Sequence, residues 1–137
     1  MRDKLEKYDI QKLESYWIYK NQLKKELKFR EQELLEPYLE EDINSTIKGS
    51  KTSDLTQNKA LLLASDDKYQ NIKRIIKSVE DIYSSLDDET KRIVDMRYNS
   101  KYNTWEDIAE ELYMSKAKVL RIRNKILDLT AEFIGWV

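Results

Sequence analysis

The residues best equipped for chemistry lie close together in the last third of the chain. Lys116, Lys118, Arg121, Arg123 and Lys125 follow one another with no acidic residue among them. Ala117, Leu120 and Asn124 share the same stretch. Cationic side chains of this kind meet phosphates. Arg and Asn also present paired hydrogen-bonding groups to base edges, Arg to guanine and Asn to adenine. The preceding stretch carries Glu106, Asp107, Glu110 and Glu111 instead. Positive charge is therefore confined to one segment, as expected where a single helix enters the major groove of double-stranded DNA.

The elements that must position these residues can be read next. Thr104 followed by Asp107 is a capping-box-like helix start. The short helix that follows, Trp105 to Leu112, turns Ile108, Ala109 and Leu112 inward, and Ala109 is small enough to let two helices cross closely. Tyr113 and Met114 form a turn. Ser115 caps a longer helix, in which Val119, Ile122, Ile126 and Leu129 make an apolar stripe at steps of three and four. The spacing predicts a helix-turn-helix from Thr104 to Leu129. Its DNA-facing residues are Thr104, Ser115, Lys116, Ala117, Lys118, Leu120, Arg121, Arg123, Asn124 and Lys125. An ordinary amphipathic helix also carries solvated charges. The two caps, the small residue and the segregated charge together favour DNA.

Composition removes most other chemistries. The chain has no Cys and no His, which excludes disulfides, thiol and imidazole catalysis, and nearly every zinc site. No glycine-rich phosphate loop occurs. The acidic clusters Glu40-Glu41-Asp42, Asp66-Asp67 and Asp87-Asp88-Glu89 read as solvated loop or cap residues. The expectation is a binding protein and not an enzyme, with no metal and no cofactor. Tyr16, Trp17 and Tyr19 read as a helix interface. The opening MRDKLEKYDIQKL has no apolar signal region, and no run approaches a membrane span. A soluble, cytoplasmic protein with no membrane partner is expected. The net charge of −1 places weight on the local basic segment rather than on the whole chain.

Two Gly and one Pro in 137 residues suit helices better than hairpins or barrels. The predicted class is all-α: long N-terminal helices, as a hairpin or coiled-coil-like pair, then the C-terminal helix-turn-helix module. Residues 1–42 read as an amphipathic helix that Pro37 should end. Residues 43–53 read as a flexible linker. Residues 54–86 read as one long helix, capped by Ser53 or Asp54. In it Leu55, Leu62, Tyr69, Ile76 and Tyr83 repeat every seven positions. This stripe suits a hairpin within the chain or a homodimer equally. Residues 87–137 form the DNA-binding domain, opened by Asp87 as N-cap with LDDETKRIVDMRY.

From Leu86 onward, LDDETKRIVDMRY and then TWEDIAEELYMSKAKVLRIRNKI resemble region four of bacterial sigma factors and phage regulators that share that module. With SDLTQNKALLLASDDKY ahead of it and a terminal IGW, the stretch Ser53 to Val137 resembles the RinA-type phage transcriptional activators. That family more usually carries Pro at the position of Leu55. The resemblance implies sequence-specific activation of phage or prophage late genes, beginning with packaging functions, in a Gram-positive host whose RNA polymerase is a further partner. It also places Lys116, Ala117, Leu120 and Arg121 where sigma-like modules contact bases. Leu120 departs from a donor's role. It either touches a thymine methyl or joins Leu127 in a second apolar stripe. Two other readings stand beside this one: a small terminase-type DNA-recognition subunit, and a helical adaptor that binds only protein.

Overall fold

The computed structural model describes residues 6–45, 49–99 and 104–136, with side chains described outside 38–45 and 49–55. The expected all-α class is borne out, and no strand occurs among the described residues. The helices are α1 (Lys7–Ile18), α2 (Lys20–Ser45), α3 (Gly49–Ser65), α4 (Asp67–Ser85), α5 (Asp88–Tyr98), α6 (Trp105–Glu111) and α7 (Lys116–Ile134). They divide into two compact units, one formed by residues up to Lys20 together with those from Ile75 onward, the other by Asn21–Arg74.

The first unit holds two connected apolar clusters. Leu13 and Trp17 of α1, Val79 and Ile82 of α4, Val94 of α5 and Ile126, Leu127 and Ala131 of α7 make one. Ile93, Trp105, Ile108, Ala109 and Val119 make the other. Tyr98 packs against both. Its ring stacks on Trp17 at 6.0 Å and meets Trp105 edge-on at 6.1 Å. A buried hydrogen bond ties α1 to α7: Trp17 Nε1 donates to Thr130 Oγ1 at 3.0 Å, and that hydroxyl donates to the Ile126 carbonyl at 2.7 Å. The indole N–H therefore does not enter the core unpaired.

Local signals start these helices. Asp87 Oδ1 accepts from the Thr90 N–H at 2.7 Å and caps α5, with Asp88 and Glu89 in its first turn. Thr104 and Asp107 close a reciprocal capping box on α6. Ser115 Oγ accepts from the Lys118 N–H at 3.1 Å and caps α7. Gly135, at φ 93°, ends α7 in the left-handed region.

The second unit is held differently. Arg30 of α2 grips Asp66 with two hydrogen bonds, Nε to Oδ2 at 3.1 Å and Nη2 to Oδ1 at 2.7 Å. Asp66 Oδ2 also accepts from the Tyr69 N–H at 2.8 Å, so the same carboxylate caps α4.

Several boundaries differ from the sequence expectation. The single helix expected over residues 1–42 is two helices meeting at Tyr19. The face carrying Leu13 and Trp17 belongs to one unit, and Leu23 and Leu27 belong to the other. Pro37 does not end α2, which continues to Ser45. Pro37 has no N–H for the Glu33 carbonyl, and it lies on an exposed stretch of the helix, where that loss is tolerated more easily than in a core. Most of the 43–53 segment is helical. α3 begins at Gly49, before Ser53 and Asp54, while residues 46–48 lie outside the described residues. The long 54–86 helix is two helices, because Asp66 caps a new start. Within the seven-residue stripe Tyr69 and Ile76 are buried and Leu62 and Tyr83 half-buried; the Leu55 side chain lies outside the described residues. The 87–137 domain is part of a larger unit, since α1 and the second half of α4 cover Ile126, Leu127 and Ala131.

Candidate nucleic-acid interface

The residues singled out in the sequence lie on α6, the turn after it, and α7. The inward side of α7 is fixed first. Val119 is fully buried in the second cluster, and Ile126, Leu127 and Ala131 are buried in the first. Thr130 and Ile134 extend this contact to the end of the helix. The N-terminal half of α7 is thus buried along one stripe and the C-terminal half over a wider face. The exposed side that remains carries Lys116, Ala117, Lys118, Arg121, Asn124 and Lys125. The capping residues Thr104 and Ser115 are exposed as well.

Two candidates are placed differently from the rest. Leu120 is half-buried and packs against the cluster of Ile93, Trp105 and Ile108, whereas Leu127 belongs to the other cluster. They do not form one stripe. Arg123 is also half-buried. Its guanidinium donates to Asn124 Oδ1 at 2.9 and 3.1 Å, and its charge acts on Glu14 of α1. Glu14 is buried, and its carboxyl is pushed above the usual range by desolvation, with Arg97 and Arg123 opposing that shift. Arg97 lies 3.8 Å from Glu14 and 5.1 Å from the centre of the Trp105 ring. Arg123 therefore lies on the side of α7 that seats against α1 and α5.

The acidic partners of the basic face were not legible in the sequence. Lys116 pairs with Glu106 of α6, and Lys118 pairs with Glu89 of α5 at 3.7 Å. The hydrogen bond from Lys116 holds the Glu106 carboxyl below its usual range. Asp87 is likewise held low, first by its bond with Thr90, with the charge of Lys125 adding to the effect. Arg121 makes no ion pair among the described residues. The clustering of Glu and Asp before the basic run was visible; which acid meets which lysine depends on the crossing of helices.

The turn holds a feature that spacing alone did not flag. Tyr113 has φ 56°, in the left-handed region, and is 97% exposed, while its neighbours Leu112 and Met114 pack against the second cluster.

Among the described residues there is no group of three metal-binding side chains, and no helix is long and apolar enough to cross a membrane. The chain belongs to the DUF722 family, described as proteins of unknown function, whose profile matches residues 1–132. No curated protein and no solved structure matches it.

Proposed function

We propose that this DUF722 member binds double-stranded DNA through α7, with α6, the turn and α7 acting as a helix-turn-helix. The observation that carries this reading is the exposed side of α7. From Lys116 to Lys125 it offers four cations and Asn124 to solvent without one acidic side chain, on a helix seated from behind by buried residues. A rigidly seated helix loses little freedom on binding, and its outward side chains can hold register along a groove. The pairs with Glu106 and Glu89 are exposed and therefore weak, so both lysines are exchangeable.

The resemblance to RinA-type activators extends the reading to sequence-specific activation of phage or prophage late genes in a bacterial cytoplasm, with host RNA polymerase as second partner. The protein acts by binding and not by catalysis. The test is a binding titration of the full chain on duplex DNA across salt concentrations. About three phosphate contacts per subunit give a dimer a log–log slope on the order of −5, and a monomer about half of that. A slope near zero removes the electrostatic basis of the reading. Arg121 and Lys125 then separate reading from positioning. Arg121→Ala should weaken the specific site by about ten-fold or more relative to a scrambled duplex, as loss of a bidentate base contact does. Lys125→Ala should weaken both duplexes equally and reduce the slope by about one.

A further inference from the structure

The turn between α6 and α7 and the end of α7 are built on the same hydrogen-bond motif. After α7, the Trp136 N–H reaches the Ala131 carbonyl at 2.8 Å and the Gly135 N–H reaches Glu132 at 3.2 Å. After α6, the Met114 N–H reaches the Ala109 carbonyl at 2.9 Å and the Tyr113 N–H reaches Glu110 at 3.3 Å. In both, the residue that closes the turn, Gly135 after α7 and Tyr113 after α6, lies in the left-handed region. Glycine does so without steric cost and stands at 135; every residue with a Cβ is penalised there. At 113 the chain carries a tyrosine.

The fold gains nothing visible from that side chain. Tyr113 is 97% exposed, more than any other large apolar or aromatic residue among those described. Leu112 and Met114 already anchor the turn against the second cluster. A strained position filled by a ring that packs on nothing among the described residues points to a contact outside the fold. The location narrows the contact. Tyr113 lies two residues before the Ser115 cap and three before Lys116, at the end of α7 where the exposed basic side begins.

We propose that Tyr113 is a DNA-backbone contact: its phenol O–H donates to a phosphate oxygen beside the groove that α7 enters, and its ring lies against the adjoining deoxyribose. Tyrosine hydroxyls are among the donors that fix a protein's register on the duplex without reading sequence. The inference rests on the DNA-binding reading of α7. Tyr113 is a positioning residue, and the turn strain is retained because a glycine there would have no donor.

The test uses Tyr113→Gly and Tyr113→Phe in the full chain. Tyr113→Gly relieves the left-handed penalty and should raise the melting temperature by a few degrees. It should weaken binding by roughly ten-fold on a specific and a scrambled duplex alike. Tyr113→Phe keeps the ring and the strain. Its melting temperature should stay at the wild-type value while binding weakens by about three- to five-fold. The phenol is neutral, so neither variant should change the salt slope, unlike a lysine substitution. Higher stability with lower affinity separates lost contact from misfolding. If the wild type shows salt-dependent binding and Tyr113→Gly binds as tightly, the inference fails and the reading of α7 stands. If the loss falls on the specific duplex alone, the phosphate assignment is wrong. If the wild type binds no duplex at low salt, the reading and the inference fall together.

Discussion

The unit that carries α7 excludes water from whole side chains: Leu13, Ile82, Ile93, Ile108, Val119 and Leu127 are all fully buried. In the Asn21–Arg74 unit, only Tyr69 and Ile72 fall in the buried class among described side chains, and Leu23, Leu27, Leu62 and Leu63 are half-buried. What that second unit has in exchange is the two-pronged Arg30–Asp66 pair, with side chains only 24% and 14% exposed. Among the described side chains, close packing holds the first unit, and a partly shielded ion pair stands at the start of α4 in the second. The lesson is one of division of labour. α7 is seated in a dry core, while the described side chains of the other unit are mostly half-buried or exposed.

The largest expected effect tests that contrast directly. Leu127→Ala opens a cavity in a fully closed site and should cost roughly 2–5 kcal/mol. Leu27→Ala removes a half-exposed side chain from α2 and should cost about 1 kcal/mol or less. Urea denaturation of both variants decides the matter. Equal losses would mean that the two units are stabilised alike and the contrast is wrong.

The units should also respond to pH with opposite sign. Asp66 is held below its ordinary value of 3.8, first by the hydrogen bonds from Arg30 and then by the Tyr69 N–H. A depressed carboxyl contributes stability that is present above 3.8 and lost as pH falls through that value toward the depressed one. Glu14 is raised above its ordinary 4.5 by burial, against the charges of Arg97 and Arg123 and beside the Tyr98 phenol. Its contribution is complete below 4.5 and lost as pH rises through the raised value. Protection of the Tyr69 amide, taken relative to its intrinsic exchange rate at each pH, should therefore fall on acidification, and Asp66→Asn should abolish that pH dependence. Glu14→Gln should flatten the loss on the neutral side in the other unit. Parallel pH profiles in both units, unmoved by either variant, would show that neither carboxyl controls its surroundings.

What was legible in the sequence was local. Asp87, Thr104 and Ser115 announce helix starts because a cap and the N–H it serves are three residues apart. Ala109 and the stripe of Val119 and Ile126 announce the buried side of the α6–α7 crossing. The missed features depend on distant partners. Asp66 divides the expected long helix as a cap held by Arg30, 36 residues away. Trp17 joins α7 through Thr130, 113 residues away. Pro37 misled for a different reason. It raises the energy of a helix without forbidding one, and nothing in the local pattern told that the helix would absorb the loss.

The smallest expected effect concerns the exposed ion pairs, and it carries the contrast to the surface. Arg30–Asp66 is shielded and holds an element in place. Lys116–Glu106 is open, with side chains 56% and 59% exposed, and Lys118–Glu89 is nearly as open at 49% and 53%. Exposed pairs of this kind add little to stability, since water and salt compete for both partners. On the DNA-binding reading, Glu106 and Glu89 occupy the lysines only until phosphate replaces them. Glu106→Gln and Glu89→Gln remove the competitor and a negative charge near the duplex. Each should leave the melting temperature within about a degree or two and tighten binding by roughly two- to three-fold at low salt. The gain should shrink as salt rises, because the charge removed is exposed and screened. Asp66→Asn, in contrast, should loosen the start of α4 and leave DNA affinity at the wild-type value. The measurement is a salt series of binding curves for the three variants beside the wild type. If Glu106→Gln and Glu89→Gln bind no more tightly than wild type at the lowest salt, Lys116 and Lys118 do not face phosphate. The basic side of α7 would then be an ordinary solvated surface, balanced by its own neighbours.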